Sequence, residues 1–307
     1  MKYSFTVFTP TYNREKSILD VYNSLERQTY KNFQWIVIDD GSADGTGDLI
    51  KSVIEKATFP IIYKYQDNSG KHIAQNRALD LAEGELFLPL DSDDTIVPEA
   101  LEIIWNAWVS IPEEQRSEFS GIGVHCINQY GDRIGPAWPE DGMISNDLEI
   151  RFKYKITSEK WGPIRTDIMR EYKNPEIKGH YFSESTVWYK IAQRYKKKYI
   201  NANVRIYIQK NDSVSVKNKE NTDYNFDCYI EGAKIYINDF YCWYAKYDKK
   251  GLIKKVLILS KKCADNKKPL LLGKDAMIKS ISPIPAKIIM ICASAYKPFA
   301  YLKSKLR

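Results

Sequence analysis

Two pairs of carboxylates directly follow two short apolar segments of the chain. The pair Asp39-Asp40 comes after residues 34–38, and the triplet Asp91-Ser92-Asp93 comes after residues 86–90. Both apolar segments are typical of buried strands. In an open α/β sheet, ligands bind at the carboxyl ends of the strands. Carboxylates at strand ends are suited to holding a cation. The sequence therefore predicts a site for a metal ion and for a ligand that needs one, such as a nucleotide diphosphate.

The Asp-Ser-Asp triplet carries the metal prediction. Alternate residues of an extended turn place Asp91 and Asp93 on one side, close enough to share a hard divalent cation. Mg²⁺ and Mn²⁺ take oxygen ligands and often complete their shells with substrate phosphates. Such a metal would neutralise the charge that develops on a departing diphosphate. Surface turns also contain Asp-x-Asp, but here a buried strand precedes it and a second acid pair follows a neighbouring strand.

Two further segments suggest contacts to a planar base. In residues 8–14, Pro10 is expected to end the first strand and to leave Tyr12 at the ligand edge, where its ring could stack on a base. The alternative is an ordinary strand-to-helix turn. In residues 38–46, Asp40 could accept the imide hydrogen of a uracil or thymine ring. The alternative is a helix cap in a solvated turn.

A scaffold of alternating strands and helices would bring these strand ends together. The apolar periodicity predicts strands at 3–9, 33–38, 61–65 and 86–90, and helices at 16–28, from about 44, at 71–82 and after Pro98. Such alternation predicts a largely parallel sheet with right-handed crossovers. Further along, strands are expected at 121–128 and 199–208, a helix at 183–195, and a helical, Lys-rich tail from about 223.

Charge is distributed unevenly along the 307 residues, whose net formal charge is +7. Residues 249–307 contain 15 basic and two acidic side chains, a net charge of +13, whereas the first 248 residues have a net charge of −6. The acidic body and the lack of a recognisable binding module argue against nucleic acid as a partner. Five cysteines without paired spacing suggest a reducing compartment. With no apolar leader or spanning segment recognised, we expect a cytoplasmic protein.

The tail itself has an amphipathic pattern. Apolar residues recur every three or four positions over residues 279–307, interspersed with lysines, and Pro298 would kink the helix. A basic amphipathic stripe could lie on an anionic membrane surface, giving peripheral membrane contact. Alternatively, the stripe covers the rest of the protein and the lysines are a solvated face.

Five segments taken together resemble the family 2 nucleotide-sugar glycosyltransferases. They are residues 9–14, 39–42, 76–79, 82–85 and 91–94, in the order and at the spacing of that family. The resemblance covers roughly residues 3–110 and continues more loosely to about 210. It implies the A-type glycosyltransferase fold, a Rossmann-like, mostly parallel sheet flanked by helices. The expected organisation is a catalytic domain over 1–222, with a nucleotide-binding half (1–110) and an acceptor half (111–222), followed by a basic helical extension over 223–307.

The resemblance also implies roles for single residues. By position, it places Pro10 and Tyr12 beside the base, Asp40 in a bond to it, Asp91 near the ribose and phosphates, Asp93 on a Mn²⁺ or Mg²⁺ ion, and Arg77 near the nucleotide. An Arg suits phosphate or base contacts. The alternative for Arg77 is a surface ion pair on the third helix.

A catalytic base is expected within residues 181–188. Displacement at an anomeric carbon requires the acceptor hydroxyl to lose its proton, which a positioned carboxylate can take. The family commonly supplies this carboxylate from a Glu-Asp pair at the start of a helix. Here Ser185 replaces the second acid, which leaves Glu184 as the candidate. The alternative is that Glu184 only favours a helix N-terminus through the dipole. Trp138 and residues 161–163 are further candidates for sugar contacts, with a core role as the alternative.

The sequence thus predicts an inverting, metal-dependent glycosyltransferase. The expected donor is a nucleotide-diphosphate sugar, with UDP as the favoured nucleotide, and the expected acceptor is a glycan or lipid-linked molecule of a cell-surface polysaccharide. One alternative is a nucleotide-sugar-binding scaffold of the same fold that has lost catalysis. A nucleotidyltransferase is disfavoured, because residues 8–16 contain no glycine.

Overall fold

The computed structural model describes residues 1–177, 182–208, 226–255 and 258. The chain divides into two compact units, Met1–Asn221 and Thr222–Arg307. The described part of the second unit contains one long helix, α8 (Phe226–Tyr247). The predicted domain boundary at 222/223 and the amphipathic stripe over 279–307 lie outside the described residues. In the described part of the chain, no helix is long and apolar enough to cross a bilayer.

The first unit alternates strands and helices through its first hundred residues. The elements are β1 (Tyr3–Thr11), α1 (Ile18–Glu26), β2 (Phe33–Asp39), α2 (Thr46–Ile54), β3 (Ile61–Tyr65), α3 (Lys71–Leu81), β4 (Gly84–Pro89), β5 (Thr95–Ile96) and α4 (Ala100–Val109). The predicted strands and helices of this region are therefore present, with ends shifted by a few residues. Pro10 does not end β1 as expected, because the strand continues to Thr11 and Pro10 pairs with Ile38 of β2.

The second half of this unit adds longer strands and several short elements. After a 3₁₀ turn at Glu113–Glu118, the chain forms β6 (Phe119–Asn128), β7 (Met143–Ser145), α5 (Asp147–Phe152), β8 (Ile164–Arg165), α6 (Thr166–Glu171), α7 (Ser185–Ala192) and β9 (Lys196–Tyr207). The sequence predicted β6, α7 and β9. It predicted no element at β5, β7, β8, α5 or α6, each of which is too short to show a clear period.

All nine strands form one sheet in the order β3-β2-β1-β4-β8-β6-β9-β5, with β7 also paired to β9. The first four strands in this order are parallel. The short β8 is antiparallel to both β4 and β6, and β6 and β9 are parallel to each other. The α/β prediction of a Rossmann-like sheet is confirmed, and the antiparallel additions lie in the half that follows β4.

Helices cover both faces of the sheet, because successive side chains of a buried strand point to opposite faces. On one face, Phe5 and Trp35 pack in a cluster that includes Leu101 and Trp108 of α4. On the other face, side chains of the same strands pack against α3, α6 and α7 in a second cluster that includes Phe8, Ile36, Ala78, Ile168 and Ile191. Burial on both faces explains why residues 35–38 of β2 are a continuous apolar run without alternation.

Candidate active site

The ends of β1 and β2 are joined by their own loops. The amide of Asp40 donates to the carbonyl of Thr11 at 2.8 Å. Asn13 has a left-handed φ of 51°, and its side-chain oxygen accepts a hydrogen bond from the amide of Ala43 at 2.9 Å. Between these contacts the Tyr12 side chain projects outward and is 48% exposed. The ring is therefore free to stack on a ligand at this edge, whereas Pro10 is buried within β1.

Asp40 is buried and already engaged by protein donors. Its Oδ1 accepts from Gln66 Nε2 at 2.6 Å and from the Ser69 amide at 2.8 Å, and its Oδ2 accepts from the Gly70 amide at 2.9 Å. A carboxylate has about four acceptor positions, so Oδ2 keeps one for a ligand. Asp40 thus fixes the loop that leads into α3 and retains the capacity to bind one further donor.

Asp39 has a separate structural role. Its oxygens accept hydrogen bonds from the Ser42 amide and from the Tyr63 hydroxyl, both at 2.8 Å. Burial and the neighbouring Asp39 raise the pKa of Tyr63 far above its usual range, so the phenol stays a donor. Gly41 between the two loops has φ of +90°, and a Cβ there would lie 3.0 Å from the amide nitrogen of Asn68. Gly41 therefore allows its own loop to lie close to the neighbouring loop that contains Asn68.

The carboxylates after β4 lie in a tight turn, in which the Asp94 amide donates to the carbonyl of Asp91 at 3.1 Å. Asp91 Oδ1 lies 2.5 Å from Lys71 Nζ, and its Oδ2 lies 2.7 Å from Arg205 Nη2. Asp93 points elsewhere, with Oδ2 3.4 Å from Arg14 Nη2. Burial opposes ionisation of Asp91, yet the Lys71 and Arg205 charges hold the pKa of its carboxyl well below the usual range. Asp91 is therefore ionised.

Arg205 on β9 binds two carboxylates of this turn. Its Nε donates to Asp94 Oδ2 at 2.8 Å, and its Nη2 pairs with both Asp91 and Asp94. Both Arg205 and Asp94 are almost inaccessible to solvent. Burial raises the pKa of Asp94 to about 6, against the lowering effect of Arg205. The guanidinium is consequently the main group that keeps Asp94 ionised at neutral pH.

Glu184 meets this cluster from the other side of the cleft. It is the residue before α7, and its Oε1 lies 2.8 Å from Lys71 Nζ. Lys71 therefore bridges Asp91, from the end of β4, and Glu184, from the start of α7. These three residues and Arg205 line a cavity of about 420 Å³. The cavity also contains the side chains of Trp161, Phe182, Ser183, Ser185, Trp188 and Tyr207. Two carboxylates, two cations and aromatic side chains suit a sugar attached to a phosphate.

The comparisons with known proteins agree with this geometry. Residues 6–115, which span β1 to the end of α4, match the model of glycosyl transferase family 2. Residues 6–115 are thus a glycosyl transferase family 2 domain. This domain contains every strand end described above except β9. The resemblance found in the sequence motifs is thereby confirmed, and the protein is a glycosyltransferase.

The curated relatives differ in how much of their length this chain covers. A GalNAc(5)-diNAcBac-PP-undecaprenol beta-1,3-glucosyltransferase of Campylobacter jejuni is 27% identical over 244 residues, covering 76% of this chain and 74% of that protein. The putative teichuronic acid biosynthesis glycosyltransferase TuaG of Bacillus subtilis is 38% identical over 127 residues, covering 41% and 48%. The chain spans only 20% and 14% of two further relatives, from Rickettsia conorii and Streptococcus pneumoniae.

Solved structures support the fold. The crystal structure of TarS from S. aureus matches with a TM-score of 0.61 at 18% identity, covering 95% of this chain and 53% of the TarS chain. A shorter TarS structure, residues 1–349 in complex with UDP-GlcNAc, matches with a TM-score of 0.58 at 16% identity and covers 96% and 92%. This likeness confirms the A-type glycosyltransferase fold.

The sheet edge has few side chains that could act as metal ligands without help from a substrate. Within residues 1–177, 182–208 and 226–255, no group of three or more His, Cys, Asp or Glu side chains is arranged to hold a metal ion. Asp91 is occupied by two cations, whereas the Asp93 carboxylate is partly exposed. Mg²⁺ often binds through one or two carboxylates plus substrate phosphates. The residues present therefore fit a cation whose shell the donor completes.

Two of the other predicted contacts lie away from the cavity. Arg77 is on the exposed face of α3 and does not line it, so its contact to the nucleotide stays a prediction. Trp138 is buried, stacks on His125 with centroids 4.3 Å apart and packs against Tyr199, which is the core role given as its alternative. Trp161 does line the cavity, and its indole donates to the carbonyl of Pro89 at 2.5 Å.

Sequence reasoning missed Lys71 and Arg205, the two cations of the site. One signal was present for each. Lys71 is the first residue of α3, where the helix dipole disfavours a positive charge. Arg205 is a charged residue next to the buried Val204 in a strand that pairs on both sides. Each position costs stability unless a carboxylate is nearby, so each pointed to an acidic partner elsewhere in the chain.

Proposed function

We propose that the chain transfers one sugar from a nucleotide diphosphate, UDP by preference, to a hydroxyl of a glycan or lipid-linked acceptor, with inversion at the anomeric carbon. The donor proposal is supported by the TarS structure in complex with UDP-GlcNAc. The acceptor proposal is supported by the undecaprenol-linked glycan named for the C. jejuni relative. Cell-surface polysaccharide synthesis is the setting suggested by the undecaprenol-linked glycan of the C. jejuni relative and by the teichuronic acid named for TuaG.

The observation that supports catalysis is the position of Glu184 in the cavity, linked by Lys71 to Asp91. A carboxylate there can take the proton of an acceptor hydroxyl as the oxygen attacks the sugar. One base and one displacement give inversion, since no second nucleophile is needed. Lys71 links the base to the carboxylate expected near the phosphates, so both lie beside the part of the cavity where the sugar would be held.

The nucleotide would lie along the ends of β1, β2 and β4. Tyr12 would stack on the base beside Pro10, Asp40 Oδ2 would accept the imide hydrogen, and Arg77 would approach from α3. Asp91 would lie near the ribose and phosphates. Exposure of Tyr12 and the free acceptor position of Asp40 support this arrangement. Recognition of the imide hydrogen is what would favour a uracil over a cytosine or adenine base, whose ring nitrogen at that edge carries no hydrogen.

Asp93 would hold Mn²⁺ or Mg²⁺ together with the donor phosphates. When bound, the cation supplies positive charge that offsets the charge on the leaving diphosphate. Calorimetry tests this role directly. Asp93→Asn should weaken UDP binding in Mn²⁺ but not UDP binding in EDTA, whereas Asp132→Asn, in an exposed turn, should change neither. Equal Mn²⁺-dependent affinity of Asp93→Asn and the unaltered protein would end the metal proposal.

A donor screen tests the function as a whole. UDP release is measured for several sugar nucleotides with and without Mn²⁺, because slow hydrolysis of one donor identifies the sugar before an acceptor is known. Glu184→Gln should then lower transfer to an acceptor about 10²–10⁴-fold, the range for loss of a general base. Glu171→Gln serves as the matched control, since Glu171 pairs with Arg194 on the surface. Donor binding without turnover in the unaltered protein would instead favour the scaffold alternative, which the Ser185 replacement already raises.

A further inference from the structure

The cavity has a second charged end, formed by Asp147, Arg151, Lys160 and Lys197. The distance between this end and the cluster around Asp91 follows from the residues of β6 that pair with β9. Lys197 lies opposite Gly121 of β6, and Arg205 lies opposite Cys126. Five residues of extended chain span roughly 16 Å. The two ends can therefore contact different parts of a bound substrate.

Two of these four groups neutralise each other. Lys197 Nζ lies 2.8 Å from Asp147 Oδ2, and the Tyr199 hydroxyl donates to Asp147 Oδ1 at 2.9 Å. Asp147 is the first residue of α5, where the helix dipole favours an acid. Burial raises the pKa of Asp147, but the Lys197 charge outweighs it and holds the pKa below its usual value. This pair is a satisfied internal ion pair and leaves no charge for a ligand.

Lys160 is different, because its ammonium has no carboxylate partner in the described part of the chain. Its Nζ donates to the backbone carbonyl of Ser158 at 3.1 Å, which uses one of three N–H donors. No carboxylate of residues 1–177, 182–208 and 226–255 forms an ion pair with it. The adjacent Glu159 instead reaches Arg205, at 3.5 Å from Nη1. Burial lowers the pKa of Lys160, which Asp147 and Glu159 partly oppose.

Arg151 adds a second positive charge on the same side of the cavity. Its guanidinium lies over the rings of Phe152 and Tyr189, with centroid distances of 5.7 and 5.9 Å. The argument for a ligand depends on Lys160, which loses water without an ion-pair partner among the described residues and so destabilises the folded protein. An ionisable group that is kept in a cleft at such a cost is a candidate for ligand binding. The hydroxyls of Thr157 and Ser158 line the cavity beside Lys160 and can orient a sugar.

We propose that Lys160, assisted by Arg151, binds an anionic group of the acceptor, a phosphate or a carboxylate carried next to the hydroxyl that is glycosylated. The inference rests on the proposed function, in which the donor diphosphate is held at Asp91 and Asp93. An anion at Lys160 therefore belongs to the acceptor. A lipid-linked phosphate, a polyol phosphate and a uronic acid share this chemistry, and neutral acceptors lack it.

Binding of small probes tests the proposal without knowledge of the acceptor. The full-length protein is saturated with UDP and Mg²⁺, then titrated by calorimetry with glycerol 3-phosphate, methyl glucuronide and the neutral methyl glucoside. We expect both anions to bind at least tenfold more tightly than the glucoside. Tighter binding of the phosphate would indicate a phosphate-bearing acceptor, and tighter binding of the glucuronide a uronic acid.

Variants then separate charge from fold. Lys160→Met should weaken anion binding about 10- to 100-fold, the range for loss of a charged hydrogen bond, and leave the glucoside unaffected. Lys160→Arg should retain most of the affinity. Lys153→Met is the matched control, because Lys153 is an exposed lysine of the same segment, 3.8 Å from Glu149. Since Lys160→Met removes a half-buried charge that has no ion-pair partner among the described residues, its melting temperature should be equal or higher.

Three results would overturn the proposal. They are equal affinity of the unaltered protein for all three probes, unchanged anion binding by Lys160→Met, or an effect of Lys160→Met on UDP binding in place of anion binding. If Lys160→Met unfolds, Arg151→Gln and Lys160→Arg carry the test. Failure of the unaltered protein to bind UDP at all would refute the proposed function, whereas UDP binding without anion selectivity would refute only this inference.

Discussion

Replacement of Arg205 by Met should destabilise the catalytic unit through a single buried charge. Asp94 is 1% exposed, and without the guanidinium the Ile208 amide, at 3.0 Å, is its remaining hydrogen-bond donor among the described residues. Removal of one member of a buried ion pair costs about 3–5 kcal/mol. Because six of the seven tryptophans lie within Met1–Asn221, urea unfolding followed by tryptophan fluorescence reports mainly on this unit.

The pH dependence of this loss follows from the pKa of Asp94, which is raised to about 6. A carboxyl with a raised folded pKa binds more protons in the folded state, so its contribution to stability falls as pH rises toward that pKa and is constant above it. Loss of Arg205 should raise the pKa further. The cost of Arg205→Met should therefore grow between pH 6 and pH 8, by at most about 1.4 kcal/mol per pH unit.

Two comparisons make the result decisive. Adding Asp94→Asn to Arg205→Met should restore most of the lost stability, because the unpaired charge is gone. Arg194→Met should have no measurable effect, since Arg194 and Glu171 form a pair of the same type whose side chains are 62% and 50% exposed. Equal losses for Arg205→Met and Arg194→Met, or no rescue by Asp94→Asn, would refute the reasoning.

Three further predictions concern the site and its surroundings. Lys71→Met should lower the transfer rate at least tenfold. Its free energy of unfolding should change by only about 1 kcal/mol, because the ion pairs of Lys71 are about one-third exposed. Unchanged turnover would contradict the bridging role. Tyr12→Ala should weaken UDP binding by about 1–3 kcal/mol in calorimetry, as expected for loss of base stacking, whereas Tyr130→Ala, in an exposed turn, should not. Burial lowers the pKa of His125 below 6.5, so its contribution to stability is complete above that pH and is lost as pH falls further. His125→Gln should consequently reduce the decline in urea midpoint between pH 7.5 and pH 5.5, and an identical decline would show that His125 does not cause it.

Much of the fold could be predicted from the sequence, because local patterns of apolar residues indicate the strands and helices of the parallel half of the sheet. Continuous apolar runs such as residues 34–38 are required when both faces of a strand are covered, and each run is followed by a helix with its own period. The acids at the strand ends were visible for the same reason, since a buried strand leaves few positions for charge. The short strands β5, β7 and β8 could not be predicted, because two or three residues carry no period.

The candidate site divides in the same way. Sequence placed Asp40, Asp91 and Asp93 at one edge, and Glu184 at the start of a helix, from local pattern and family resemblance. What Asp39 and Asp40 bind could not be read from the chain, because their donors lie in the loops after β2 and β3.

The partners of the acids were decided only by tertiary structure. Arg205 is 114 residues from Asp91 along the chain, and the two meet because β9 pairs with β5, which directly follows the Asp91–Asp94 turn. Lys71 reaches Glu184 because α7 packs on the same face as α3. A carboxylate at the end of a buried strand predicts a cationic partner, but the packing of distant elements determines which residue that partner is. The sequence by itself therefore determined where negative charge is concentrated, and the fold determined how that charge is balanced.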